Sequence, residues 1–284
     1  MIIFAPWYTP RPSDRLVARL LTERADDGVR AVIITGAPGV GKTSFARALA
    51  EGMGGRLVEY YAHHWSNDED LFVAVDPARV AAIAGGHDMP LSKTYRRGAL
   101  LRATLLSRRM PVVLLLDEWD KSPEHCDALL LEFLQSGTVH GRHGERWRAN
   151  TRQLAVVITS NGLRELIEPL QRRCFRYEMP YLSPEVEADV LRKATGAPVG
   201  AIRLVVKAMN LIRANGRSSP SLQEGMMLLR GMVLASNVDD VRLLVRGYLV
   251  KDSQDEGALK SLGDVAVSLW GEWKRNGSKK VQVA

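Results

Sequence analysis

Apolar and polar positions follow two different patterns along the chain, and the change falls near residue 180. Before it, short apolar runs recur between helical stretches: Val32–Thr35, Val112–Leu116 and Leu154–Thr159. Five successive apolar residues are typical of a strand buried on both faces, as a central parallel strand is. After it, only helical periodicity remains, and such a switch marks a domain boundary. The sequence predicts an α/β fold: an αβα domain with a parallel sheet over residues 1–180, followed by a small all-helical domain over residues 181–284.

The same patterns predict the remaining elements. A strand is expected at Arg56–Tyr61, and a helix that begins near Asp68. Residues 137–153 read as a β-hairpin with Trp147 exposed, which is either an ordinary solvated hairpin or a protrusion that touches substrate or a neighbouring subunit. Further predictions are a first helix over 11–27, an irregular and mobile segment over 78–94, an acidic helix over 123–134, and helices over 184–196, 199–214, 220–236, 239–250 and 257–273.

A glycine-rich loop follows the first apolar strand. Residues 36–43 read GAPGVGKT and fit the pattern G-x-x-x-x-G-K-[ST] completely. In this pattern the glycines let successive backbone N–H groups point at a phosphate, Lys42 reaches the β- and γ-phosphates, and the Thr43 hydroxyl is a metal ligand. The following helix adds its positive N-terminal end. The sequence therefore predicts a nucleoside triphosphate site formed by Gly36, Ala37, Pro38, Gly39, Val40, Gly41, Lys42, Thr43 and Ser44.

Two carboxylates end the second apolar run. Asp117 and Glu118 follow Val112–Leu116 directly, at the end of a predicted parallel strand where ligands bind in open α/β sheets. Asp117 is expected to hold a Mg²⁺ ion together with Thr43. Glu118 is expected to orient and deprotonate an attacking water. The pair predicts hydrolysis in addition to binding.

Two later features allow more than one interpretation. Asn161 follows the third apolar run; it either contacts the γ-phosphate or the attacking water, or forms an ordinary Asn-Gly turn with Gly162. Arg172 and Arg173 stand together at a predicted helix end, where most such pairs are solvated surface charge.

The chain resembles the core of AAA+ ATPases, and especially the MoxR-type branch. The resemblance rests on four motifs in this order: GAPGVGKT, VVLLLDEWDKSP, VVITSN and LQRRC. The similarity covers roughly residues 30–180. It implies a P-loop NTPase core with a helical lid, hydrolysis of ATP with Mg²⁺, and a homo-oligomeric ring, most often a hexamer. It also implies Asn161 as sensor 1 and Arg173 as an arginine finger for a neighbouring subunit, with Arg172 as the alternative.

One position departs from the family pattern. The second sensor of the family is usually an arginine in a string such as Pro-Ser-x-Arg-Glu, and this chain has Gln223 at that position. The family's direct contact from this lid position to the γ-phosphate therefore has no arginine to form it here. Arg203 and Arg217 are alternative sources of it.

Composition limits the partners and the cellular compartment that we expect for the protein. The 284 residues carry a formal charge of +7, which suits either nucleic acid or the arginine-rich interfaces of an ATPase ring. The sequence has only two cysteines and no apolar stretch of about eighteen residues. We expect a cytoplasmic protein without a membrane partner, formed almost entirely by the ATPase core and the lid.

Three functions are compatible with these features. The first is a chaperone-like remodelling ATPase of MoxR type that works through a separate adaptor, which the resemblance implies to be a von Willebrand A-type protein. The second is a nucleic-acid motor whose hairpin arginines track phosphates, although no nucleic-acid motif is present. The third is a nucleotide-controlled assembly switch with little turnover.

Overall fold

The protein divides into two compact units. The computed structural model describes residues 4–22, 28–87, 95–141 and 144–276. One unit contains residues 1–36 and 41–179; the other contains residues 37–40 and 180–284.

Helices and strands alternate along the first unit. In chain order they are α1 Pro12–Thr22, β1 Arg30–Thr35, α2 Lys42–Gly52, β2 Arg56–Tyr61, α3 Asp68–Leu71, β3 Val73–Val75, α4 Pro77–Ala84, β4 Tyr95–Arg97, α5 Ala99–Ser107, β5 Val112–Asp117, α6 His125–Ser136, β6 Thr138–His140, β7 Arg146–Arg148, β8 Leu154–Thr159, α7 Glu168–Arg173 and β9 Phe175–Glu178.

A five-stranded parallel sheet forms the centre of this unit. Its strand order is β2-β5-β8-β1-β9, and every neighbouring pair is parallel. All residues of β5 and β8 are buried, as their continuous apolar sequences predict. Leu100 of α5 and Phe133 of α6 pack with Leu114 and Val156 of the sheet in one core cluster. The predicted fold, a parallel sheet flanked by helices, is confirmed.

The second unit is all helical beyond residue 180. Its helices are α8 Pro184–Thr195, α9 Val199–Asn215, α10 Leu222–Gly231, α11 Val238–Tyr248, α12 Ser253–Leu259 and α13 Val265–Asn276. The long helix α9 is central, because it packs against α8, α10, α12 and α13. Its residues Val205, Met209 and Ile212 are fully or almost fully buried. This helical region fits the lid of an AAA+ protein.

Several element predictions were wrong. The segment expected to be irregular contains α4, and residues 88–94 lie outside the described residues. The first helix is present over Pro12–Thr22, and residues 23–27 of its predicted range lie outside the described residues. The helix predicted over 257–273 is two helices, because Gly263 adopts a φ of +68° and Asp264 then accepts hydrogen bonds from the N–H groups of Ala266 and Val267.

The predicted hairpin is present, but its tryptophan is not exposed. Strands β6 and β7 pair antiparallel, with Val139 opposite Trp147. The Trp147 ring is partly buried and packs against the core cluster, whereas its neighbours Arg146 and Arg148 are exposed. The alternation of a strand explains this arrangement. Residues 142 and 143 lie outside the described part of the hairpin.

Among the described residues, no helix combines the length and the apolar character needed to cross a membrane.

A buried carboxylate, Asp255, organises one end of the helical unit. It accepts hydrogen bonds from the N–H groups of Arg217 (2.8 Å), Ser218 (2.9 Å), Lys251 (3.0 Å) and Asp252 (3.1 Å), and from the Ser218 hydroxyl (2.5 Å). Burial alone would raise the pKa of Asp255, but these hydrogen bonds outweigh it and lower the pKa to about 2.

We predict that Asp255→Asn lowers the free energy of unfolding by about 1–3 kcal/mol at neutral pH, because several backbone donors lose a charged acceptor. The pKa of Asp255 is lower in the folded protein than in the unfolded chain. Its contribution to the free energy of unfolding is therefore present above about pH 4 and is lost as the pH falls towards 2. Thermal unfolding from pH 7 to pH 3 measures the difference, with the exposed Asp239→Asn as the control. A difference that stays constant over this range would contradict the prediction.

Candidate nucleotide site

The loop between β1 and α2 has the backbone of a phosphate cradle. Gly36, Gly39 and Gly41 have φ values of 136°, 76° and 105°. A Cβ atom added at Gly41 would meet nothing within 4 Å, so the backbone conformation requires glycine there rather than any lack of space. Gly41 is also the N-cap of α2 and provides no side-chain cap. The first N–H groups of α2 therefore lack the side-chain oxygen that usually satisfies one of them, as an anion site requires.

Lys42 lies back against the loop that precedes it. Its side chain is only 8% exposed, and its Nζ donates a hydrogen bond of 2.6 Å to the carbonyl oxygen of Gly36. Burial lowers the pKa of Lys42, while the charges of Asp120, Asp117 and Glu118 act in the opposite direction. The ammonium group is thus held at the loop, close to the acidic end of β5.

Thr43 and Asp117 meet across the strand ends. The Thr43 hydroxyl lies 2.9 Å from Oδ2 and 3.2 Å from Oδ1 of Asp117, whose side chain is buried. A hydroxyl and a carboxylate are oxygen ligands of the kind that Mg²⁺ prefers. The described residues contain no group of three His, Cys, Asp or Glu residues able to hold a metal. A two-ligand site suits Mg²⁺, which keeps several waters and shares its shell with substrate phosphates.

Thr159 is a functional candidate that the sequence reasoning missed. At the end of β8 its buried hydroxyl donates to Asp117 Oδ1 (2.5 Å) and accepts a hydrogen bond from the Glu118 N–H (2.8 Å). Glu118 is the only described non-glycine residue with a positive φ, at 53°. This backbone conformation costs about 1–3 kcal/mol and persists where the surroundings hold it. Its partners are 42 and 41 residues away in the chain, so no local pattern in the sequence indicated this role.

The Glu118 carboxylate has two partners. Lys121 Nζ lies 2.5 Å from Oε2, and Asn161 Nδ2 lies 3.3 Å from Oε1. Asn161 is held in turn by the buried Asp120, whose Oδ2 accepts hydrogen bonds from the backbone N–H groups of Asn161 (2.9 Å) and Leu163 (2.8 Å). The structure therefore brings Asn161 to Glu118. Asn161 is also followed by the tight turn that its sequence predicts, since Gly162 has a φ of 83°.

A buried polar network anchors this acidic segment to α6. Trp119 is fully buried, and its Nε1 donates to Asp127 Oδ1 at 2.7 Å. The guanidinium of Arg164 binds both oxygens of Asp127, at 2.7 and 2.8 Å, and its Nε donates to the carbonyl of Ser122 at 2.9 Å. Bidentate arginine–carboxylate pairs are strong and directional. Asp127 and Arg164 are positioning residues that the sequence patterns did not indicate.

The two candidate finger arginines lie at the end of α7. Both side chains are exposed; Arg172 forms an ion pair with Glu168, one helical turn earlier. Within the described part of the chain, no carboxylate lies within ion-pair distance of Arg173. Among the described residues, an ion pair thus holds the side chain of Arg172 but not that of Arg173.

The residues considered for the second sensor lie in the helical unit. Gln223 is exposed in the first turn of α10, next to a capping box of Ser221 and Glu224. Arg203 is exposed on α9, and the exposed Arg217 lies 3.5 Å from Asp252.

A different arginine of the helical unit is buried. Arg213 on α9 contacts Glu187 at 2.8 Å and stacks on the Tyr181 ring at 3.9 Å. Truncating one member of such a buried pair is costly, so Arg213 stabilises this unit.

Comparison with known proteins identifies the class. Residues 32–181 match the family described as "ATPase family associated with various cellular activities (AAA)". This match covers more than half of the chain, so the protein belongs to the AAA ATPase family. Over 182 residues, the chain is 29% identical to peroxisomal Lon protease homolog 2 of Pichia angusta, a match that covers 59% of this chain and 16% of that protein.

Solved structures agree on the fold. A Thermotoga maritima RuvB mutant, P216G, superposes with a TM-score of 0.50 at 16% identity, covering 91% of this chain and 73% of that one. NtrX from Brucella abortus gives a TM-score of 0.50 at 17% identity, covering 80% and 50% respectively. At these identities the similarity concerns the AAA+ fold alone.

We predict that Thr159→Val lowers kcat for nucleotide hydrolysis by about tenfold or more, because a small displacement of a reacting group strongly reduces the rate. Valine keeps the shape of threonine but removes the hydroxyl between Asp117 and Glu118. Thr159→Ser keeps the hydroxyl and should retain most of the activity. Steady-state phosphate release with KM and kcat separated measures both variants. Equal kcat values for the two would show that the hydroxyl does not position Glu118.

Proposed function

We propose that this protein binds and hydrolyses ATP with Mg²⁺ and acts as a ring-forming, chaperone-like remodelling motor of the MoxR type. The observation that carries the proposal is the convergence of Lys42, Thr43, Asp117, Glu118 and Asn161. Lys42 and Thr43 begin α2, directly after the glycine loop that follows β1, and the other three lie at or just past the carboxyl ends of β5 and β8. Ligands bind at this edge in open parallel sheets.

Each residue has a role that its surroundings support. Lys42 and the loop N–H groups neutralise phosphate oxygens, and Thr43 and Asp117 hold the metal. When bound, Mg²⁺ would spread the negative charge of the phosphates. Glu118 accepts a proton from the attacking water, and Asn161, which contacts the Glu118 carboxylate, orients that water. Catalysis of phosphoryl transfer is then mainly positioning and charge neutralisation.

A ring completes the site in this proposal. Residues 1–180 serve as the nucleotide-binding domain and residues 181–284 as the lid. Arg173 is the finger that acts on the nucleotide of the next subunit in a homo-oligomer, a hexamer in the first instance, with Arg172 as the alternative. Its exposed side chain and the absence of a described carboxylate partner support the choice of Arg173. Gln223 replaces the arginine of the second sensor, so the lid responds less directly to the γ-phosphate.

The client and setting are further parts of the proposal. We place the protein in the cytoplasm, with a von Willebrand A-type adaptor linking the ring to its client and no membrane partner. A second candidate, a nucleic-acid motor, is favoured by the exposed Arg146 and Arg148 on the outer face of the hairpin.

We predict that Lys42→Ala abolishes ATP binding, whereas Glu118→Gln retains binding and loses turnover, because one removes the phosphate cation and the other only the base. Binding of a fluorescent ATP analogue and phosphate release measure the two effects. Glu51→Gln, an exposed change on the same helix as Lys42, is the control. Normal turnover in Glu118→Gln would refute the base assignment, and negligible turnover in the wild type would favour an assembly switch.

We predict that Arg173→Ala binds ATP normally but hydrolyses it about 10³-fold more slowly or worse, because a finger supplied in trans is worth about 10³–10⁵ in rate. Mixing inactive Arg173→Ala with inactive Lys42→Ala should restore partial activity, since mixed rings contain interfaces with an intact loop and an intact finger.

The matched control for this experiment is Arg172→Ala. No recovery in demonstrably mixed rings, with the full loss appearing in Arg172→Ala instead, would move the finger to Arg172.

A further inference from the structure

Six arginines line a recess in the first unit. The recess has a volume of about 780 Å³ and is bounded by β4, α5 and part of α4. Tyr95, Leu105 and Leu106 also line it. The arginines are Arg79, Arg96, Arg97, Arg102, Arg108 and Arg109. None of the nucleotide-site residues described above belongs to this set, so the recess is a second site.

The positive charge of the recess is only partly compensated. Arg79 lies 3.2 Å from Asp76, and Arg96 lies 3.8 Å from Asp70. For the other four arginines, no carboxylate of the described residues lies within 4 Å. Like charges gathered in one recess repel each other, and this repulsion is relieved when an anion binds.

The positive surface continues beyond the recess onto the hairpin. Arg108 Nε donates a hydrogen bond of 2.9 Å to the backbone carbonyl of Arg148, which joins the end of α5 to β7. Since Trp147 turns towards the core, Arg146 and Arg148 both lie on the exposed face of β7. We call Arg97, Arg102, Arg108, Arg109, Arg146 and Arg148 the arginine surface.

Two of these side chains are positioned by backbone carbonyls rather than by acids. Arg102 donates to the carbonyl of Glu59 at 3.3 Å, and Arg108 to that of Arg148. A backbone carbonyl carries no net charge to offset that of a guanidinium, and each guanidinium has further N–H donors. A guanidinium presents its donors as a planar fork that matches phosphate oxygens, which makes arginine a preferred phosphate ligand.

The remaining lining favours one kind of polyanion. Tyr95 is half-buried: it packs against the core cluster and also lines the recess, beside Leu105 and Leu106. A positively charged groove with an aromatic ring is how proteins bind single-stranded nucleic acid, with phosphates on the cations and a base on the ring. A recess admits an unstacked nucleotide, whereas a duplex keeps its bases stacked inside. An acidic polypeptide would match the charge but would make no use of the ring.

We propose that the arginine surface binds single-stranded nucleic acid, with phosphates held by the arginines and one base received at Tyr95. This goes beyond the remodelling ATPase proposed above; it shares Arg146 and Arg148 with the second candidate, a nucleic-acid motor, and does not rest on hydrolysis. The surface shares no residue with the nucleotide site, so the failure of either proposal leaves the other standing.

The test is fluorescence anisotropy of the full chain with labelled oligo-dT and oligo-rU of about 20 nucleotides, without ATP, over about 50–200 mM salt. We expect binding that weakens with salt. Arg97→Ala/Arg109→Ala should weaken it at least about tenfold and reduce the salt slope by about 1.4, since each phosphate contact contributes about 0.7 on single strands. The control is Arg15→Ala/Arg19→Ala, which removes the same charge from the exposed face of α1 and should bind as the wild type does.

Three results would overturn the proposal: an equal loss in the α1 control, tighter binding of duplex than of single strand, or equally effective competition by poly-glutamate. If the double alanine variant fails to fold, Arg97→Lys/Arg109→Lys replaces it. That variant keeps the charge and should bind a few-fold more weakly with an unchanged salt slope. Ultraviolet cross-linking of oligo-dT, read by mass spectrometry, should identify the peptide that contains Tyr95, and cross-links confined to other surfaces would contradict the assignment.

Discussion

The carboxylate of Asp117 is the contact on which the candidate site depends. It lies at the end of β5 and hydrogen bonds to Thr43, in the first turn of α2 after the loop that follows β1, and to Thr159, at the end of β8. In the sheet β8 stands between β5 and β1, so this single buried group joins three strand ends. Because Thr159 also fixes the N–H of Glu118, the proposed metal ligand Asp117 and the proposed base Glu118 share one support. A small displacement of this carboxylate would disturb both.

A second layer of polar contacts holds the acidic segment in place. Asp120 is buried and fixes the backbone of Asn161, while Trp119 and Arg164 meet on the buried Asp127. Breaking such a buried pair costs far more than a surface ion pair does, because the partner is left charged and unsolvated. The strained backbone of Glu118 lies between these two anchors, which explains how a left-handed conformation is maintained there.

The protein separates two kinds of positive charge. Lys42 is buried, near three carboxylates, and its pKa is lowered by burial. The arginine surface is exposed, and much of it has no acid partner among the described residues. A cation held against acids suits a small, tightly positioned phosphate group, whereas an extended exposed set suits a polymer that is bound through many weak, salt-sensitive contacts. The nucleotide and the single-stranded nucleic acid that we propose for these two surfaces would therefore be held by different kinds of electrostatic contact.

The sequence by itself determined the features that are local in the chain. The apolar runs of β5 and β8 predicted buried parallel strands, and the glycine loop, the acidic pair and the αβα class could be read without coordinates, because strand burial and loop glycines leave periodic or fixed patterns. Thr159 and Arg164 left no such pattern, since their partners are 42 and 37 residues away. The inward turn of Trp147 and the helix break at Gly263 were likewise decided by packing and by one backbone torsion. Only the tertiary structure could bring six arginines from three parts of the chain to one recess. The sequence gives the position of each charge along the chain, but the folded backbone decides in which direction each side chain points.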